Sequence, residues 1–142
     1  MAAPAVRIVG FGEAMIRYSP DPDGRRRWDC PSRALPPSGR VDCMRTVGGD
    51  ELNVCVDFMR LGGARRAASW VSALPASPHP LADVVRAVAG DAGVDTSRCH
   101  ESTPSQHDIG AFTILPRQKA VHYSRKDSAF WRDQPADGYD WA

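Results

Sequence analysis

Gly48-Gly49-Asp50-Glu51-Leu52-Asn53-Val54 is a glycine pair running straight into an apolar repeat, and this stretch decides the architecture. Leu52, Cys55, Val56 and Met59 stand at i, i+3, i+4 and i+7, one face of a 3.6-residue period, and Gly62-Gly63 closes the run. The spacing predicts a helix over 50–61 that buries that face. Upstream, Val6 to Phe11 is a short apolar run ended by Gly10 and Gly12, the pattern of a buried strand entering a tight turn. Downstream, Ala67 to Leu74 reads as a strand around Trp70 and Val71, broken by Pro75 to Pro78. Leu81, Val84, Val85 and Val88 then repeat the helical spacing up to Asp91–Gly93. Strand, helix, strand, helix predicts an α/β fold with a mostly parallel sheet. After Thr103-Pro104 the period changes to two. Ile109 to Leu115 and Lys119 to Arg125 read as two strands joined at Pro116–Gln118, a small antiparallel hairpin on a parallel scaffold. The Pro-, Arg- and Asp-rich stretch 19–40 reads as an excursion over the surface.

Composition removes several classes. With 18 basic and 17 acidic residues in 142, the net charge is +1, so no long-range field draws the chain to nucleic acid or anionic lipid. Arg25-Arg26-Arg27 lies among prolines and aspartates and reads as a solvated loop rather than a phosphate patch. The four cysteines (Cys30, Cys43, Cys55, Cys99) have no ligand or dithiol spacing, so no metal site is expected and the thiols are expected to be reduced. No stretch approaches the roughly 20 apolar residues of a membrane span. The reading is a soluble, cytoplasmic protein. Gly10-Phe11-Gly12 invites a dinucleotide-binding reading, but Met15 stands where the third glycine belongs.

The glycine pair followed by Asn53 at a helix start resembles the amino-terminal signature of PfkB carbohydrate kinases, with the 2-keto-3-deoxygluconate kinase branch the nearest in look. Gly12-Glu13-Ala14-Met15, Arg60-Leu61-Gly62 and Tyr123-Ser124-Arg125-Lys126-Asp127-Ser128-Ala129 agree in order and rough spacing. The resemblance implies a partial ribokinase-like three-layer sandwich, a parallel sheet with helices plus a small antiparallel β lid. Residues 1–142 would be the amino-terminal part of one kinase domain, with 19–40 a surface or lid excursion and 108–126 the lid hairpin.

The residues give that resemblance a chemistry. Glycines ahead of a helix let a ligand approach the backbone, whose first-turn N–H groups are free to donate. Gly48 and Gly49 are therefore substrate-binding candidates. Asn53 offers a donor and an acceptor to a sugar hydroxyl, or is merely exposed. The period of two puts Tyr123 and Arg125 on one strand face. By resemblance Arg125 pairs with a sugar-acid carboxylate and Tyr123 bonds a hydroxyl; without it they read as a cross-strand aromatic and a solvated charge. Phe112 stands where that branch often has tyrosine and can line a pocket but not donate. Glu13 faces the sugar pocket by resemblance, and is equally readable as a surface carboxylate at a strand end.

The resemblance implies transfer of the ATP γ-phosphate to a sugar or sugar-acid hydroxyl, with ATP and Mg2+ as cofactors of the complete enzyme. No catalytic, cofactor or metal residue is identifiable: the family's Gly-Ala-Gly-Asp string, which supplies its base and anion hole, is not in this sequence. Pro75-Ala76-Ser77-Pro78 also replaces the Gly-Asp-rich turn expected near the sugar. The expected function is the substrate-side portion of a sugar kinase, inactive alone. The alternative is a non-catalytic sugar-binding or dimerisation module, in which the unpaired lid edges could join two chains.

Overall fold

The computed structural model describes residues 6–20, 43–62, 66–102, 107–115, 120–133, 135 and 138–139. Strand β1 (Val6–Phe11) and strand β4 (Arg66–Val71) form a parallel ladder that pairs Val6 with Arg66 and Phe11 with Val71. Between them in sequence lies helix α1 (Asp50–Arg60), which packs on both strands. Its buried side chains are Leu52, Cys55 and Val56, with Met59 half-buried, so the periodicity was read on the correct face. A Leu61 C-cap and Gly62 at φ 74° end it. Strand β5 (Ala73–Pro75) and strand β6 (His100–Ser102) make a second parallel pair. Helix α2 (Pro80–Asp91) connects them.

The second layer is a mixed sheet. Its order is β3 (Cys43–Gly48), β2 (Met15–Pro20), β7 (Gly110–Leu115), β8 (Ala120–Ser124). β2 runs antiparallel to β3 and parallel to β7, and β7 antiparallel to β8. A four-residue helix, α3 (Ala129–Arg132), follows. The core joins the layers: Trp70, Ile16, Leu52, Leu74 and Val85 are fully enclosed.

Four sequence expectations need correction. β1 exists but is not buried: Val6 and Val9 are each 57% exposed, because among the described residues one edge alone is paired and α1 covers a single face. The strand expected over 67–74 is two strands interrupted at Ser72, whose carbonyl accepts from the His100 amide at 2.8 Å. On α2 the buried residues are Ala82, Val85 and Ala89. Leu81, Val84 and Val88 are half-buried, because small side chains let this helix lie close and shift its contact line by part of a turn. Finally, Ser19 and Pro20 belong to β2, and the antiparallel hairpin is one end of a larger mixed sheet. The remainder of the expected excursion, with Arg25–Arg27, Cys30 and the turn at Pro116–Gln118, lies outside the described residues.

α2 begins with a cap that the spacing did not reveal. His79 Nδ1 accepts from the Ala82 amide at 3.2 Å, and the Asp83 carboxylate accepts from the His79 amide at 2.9 Å, a reciprocal pair at a helix start. That amide bond leads the causes holding the Asp83 carboxyl below its ordinary range. Burial pushes the Cys99 thiol up to about 11 and raises Cys55 as well. Among the described residues no helix is long and apolar enough to cross a membrane.

Candidate functional site

Where β1 turns into β2, the start of α1 and the end of β8 converge on a cavity of about 400 Å³. A cavity of that size suits a small polar metabolite. Gly12, Glu13 and Met15 form its floor, and Gly49, Asp50 and Glu51 its helical wall. Phe112, Tyr123 and Arg125 come over it from the mixed sheet, and Phe11 and Phe130 close the far end.

Two glycines are needed for this approach. Gly49 holds φ 136°, and a Cβ there would sit 2.6 Å from the Glu13 carbonyl oxygen. As N-cap of α1 it provides no side-chain cap, so the first-turn amides keep their donors for a ligand. Gly110 makes room of another kind: a Cβ on it would lie 2.5 Å from Glu13 Oε1. At Gly12 a Cβ would run into the Glu51 carboxylate, which therefore rests against the chain turn. Phe112 lies against Gly48, so that glycine acts through the aromatic wall.

Glu13 is the polar centre. Its side chain is 3% exposed and receives the Ser128 hydroxyl on Oε1 and the Trp131 indole N–H, at 3.3 Å, on Oε2. Arg125 Nε stands 2.8 Å from Oε2, a close charge contact whose N–H is not aligned as a hydrogen bond. The guanidinium also lies 5.1 Å from the centre of the Trp131 ring. A buried carboxylate is tolerated because a cation and two neutral donors surround it. Nearby, the Ala129 amide donates to the Asp108 carbonyl at 2.9 Å and fixes α3 beside the start of β7.

The structure brings Gly49, Phe112, Tyr123 and Arg125 to one cavity, with Gly48 behind Phe112. It does not bring Asn53 there. That side chain is exposed and lines a separate groove with Arg45 and Thr46, while its amide closes the helix on the Gly49 carbonyl at 2.9 Å. One turn further along α1 than the Gly49–Asp50 end, about 5 Å, Asn53 meets Arg45 and Thr46 of β3 instead. Arg125 is neither a solvated charge nor free. Sequence reading missed Asp50, Glu51, Ser128 and Trp131. The last two flank Glu13 across 115 and 118 residues of chain, a separation no local pattern spans.

No protein-family model and no curated protein matches the chain. Solved structures do. A PfkB-family carbohydrate kinase from Listeria grayi aligns over 93% of this chain and 37% of its own, at 21% identity and a TM-score of 0.67. A putative 2-keto-3-deoxygluconate kinase from Enterococcus faecalis aligns over 96% and 36%, at 21% identity and 0.64. A fructokinase from Xylella fastidiosa with bound ATP aligns over 89% and 35%, also at 21% and 0.64. The chain thus has the ribokinase-like α/β fold of the PfkB carbohydrate kinases, and spans a little over a third of the length of those it resembles.

Proposed function

We propose that this chain forms the substrate side of an ATP-dependent sugar kinase, residues 1–142 being part of one kinase domain whose sheet β3-β2-β7-β8 serves as the lid. The observation that carries the reading is the convergence of Gly49, Phe112, Tyr123 and Arg125, from three separated elements, on one cavity in a fold shared with sugar kinases. Amides of the first turn of α1 and the Tyr123 hydroxyl would hold sugar hydroxyls, and Phe112 would pack on the apolar side of the ring.

The residues present do not fit ATP–Mg2+. The cavity presents the carboxylates of Glu13, Asp50 and Glu51, which repel a polyphosphate, and no described group of three or more His, Cys, Asp or Glu could hold a metal ion. Phosphoryl transfer is therefore assigned to the complete enzyme, and this chain alone is expected to bind sugar without turning over ATP. Saturation-transfer NMR on the purified chain with a panel of hexoses tests the reading. Signals that survive Gly49→Ala, or no signal from any sugar, would sink it.

A second reading, a dimerisation module, is favoured by the lid edges. Among the described residues β3 and β8 each pair on one edge only, and Met44 and Val121 are exposed there. Sedimentation of the chain at rising concentration separates a lid-paired dimer from a monomer.

A further inference from the structure

The charge already standing in the cavity decides what kind of sugar it admits. Glu13, Asp50 and Glu51 contribute three carboxylates to the lining, and Arg125 is its one cation. That cation is spent on Glu13: Nε is 2.8 Å from Oε2, and the guanidinium is braced against Trp131. The amino end of α1 adds a partial positive charge of about one half. The balance is roughly one and a half negative charges facing a ligand. Asp50 and Glu51 are solvent-exposed, so water and salt weaken their field, but they lie on the helical wall that a bound molecule must touch.

We propose that the site selects a neutral sugar over a sugar acid, with Glu13 as the residue that sets this preference by neutralising Arg125. This rests on the sugar-binding reading above and narrows it. A ligand carboxylate would meet a guanidinium whose charge Glu13 already offsets, and would settle beside two further carboxylates. A hydroxyl meets the same groups as acceptors, which is favourable.

A matched pair of probes tests the idea: D-fructose and 2-keto-D-gluconate, which carry a hydroxymethyl group and a carboxylate at the same carbon. Titration calorimetry on the 142-residue chain should find the neutral sugar tighter by roughly tenfold at low salt, the gap shrinking as salt screens it. Glu13→Gln keeps the shape and frees the guanidinium. It should shift the acid-to-neutral affinity ratio about tenfold toward the acid. Because Glu13 is buried and that variant could unfold, Asp50→Asn with Glu51→Gln, at exposed positions, provides a second arm and should also favour the acid. Tighter binding of the acid by the unaltered chain, or an acid-to-neutral ratio unmoved in a folded variant, overturns the inference while leaving sugar binding intact. Failure of both sugars to bind any variant overturns the sugar reading and this inference with it.

Discussion

The parallel layer and the mixed sheet of this molecule are held in different ways. Around β4 and β5 the side chains of Trp70, Val71 and Leu74 are enclosed, and α1 and α2 close over them with Leu52, Cys55 and Val85. Stabilisation there comes from apolar area, about 25 cal/mol for each Å² removed from water. The mixed sheet differs: from Cys43 to Thr46 and from Val121 to Ser124 every side chain is exposed. Ile16 and Ile109, with Tyr18, Val47 and Ala111 packed beside them, fix its inner part to the core, and the buried Glu13 carboxylate with its three partners ties in the segment that follows β8. Packing resists change everywhere at once, whereas a polar tether fails when one atom is lost.

Four measurements would break or sharpen that contrast. Trp70→Ala should act on the whole molecule, at a cost of about 3–5 kcal/mol in denaturant unfolding. If amides in β7 and β8 kept their exchange protection in that variant, the two regions would be independent. Glu13→Ala should cost less, about 2 kcal/mol, since Arg125 is 36% exposed and solvent can take up its charge. Its signature is position: faster hydrogen exchange over 120–132 with α1 unchanged. Uniform loss of protection would make Glu13 an ordinary core residue.

The third test uses pH. Burial lifts the Cys99 thiol in the folded state to about 11, above its ordinary value of 9.0, so folding favours the neutral form. The contribution is full below pH 9 and declines between pH 9 and about 11, as the unfolded thiol ionises first. Replacement by serine should flatten that part of a stability–pH curve, and an unchanged slope would locate the titration elsewhere. The smallest effect belongs to Tyr123, which is 59% exposed with its ring centre 5.8 Å from that of Phe112. Tyr123→Ala should cost under about 1 kcal/mol in stability. Sugar affinity should fall all the same, a split between binding and stability that a core residue would not show.

The same contrast explains what the sequence disclosed. Regular periods betray surfaces that pack regularly, and Leu52, Cys55 and Val56 announced α1 together with its buried face. The hairpin was visible because Gly110–Leu115 alternates against Ala120–Ser124. β2 and β3 were not. In Met15-Ile16-Arg17-Tyr18 two adjacent residues are buried, since the strand has neighbours on both edges and the core beneath its start, and Cys43 to Thr46 carry no apolar alternation. At the site, Gly49 and Tyr123 were legible because turn chemistry and strand alternation are local. Glu13 was readable in two ways, and only long-range closure decides between them. Asn53 lies outside that cavity, because its place in a familiar string says nothing of how far along the helix its side chain stands.

Gly110 shows how such a closure is inherited. The space left by its absent side chain is filled by the Glu13 carboxylate, so the two positions amount to a single choice made ninety-seven residues apart in sequence numbering, 110 against 13. Alanine at 110 would press on the Glu13 carboxylate and on Met15, so that the acid would have to shift or shorten. Among descendants of this chain, side-chain size at one position should therefore track length and charge at the other, and a glycine at 110 would record that the carboxylate is still in place.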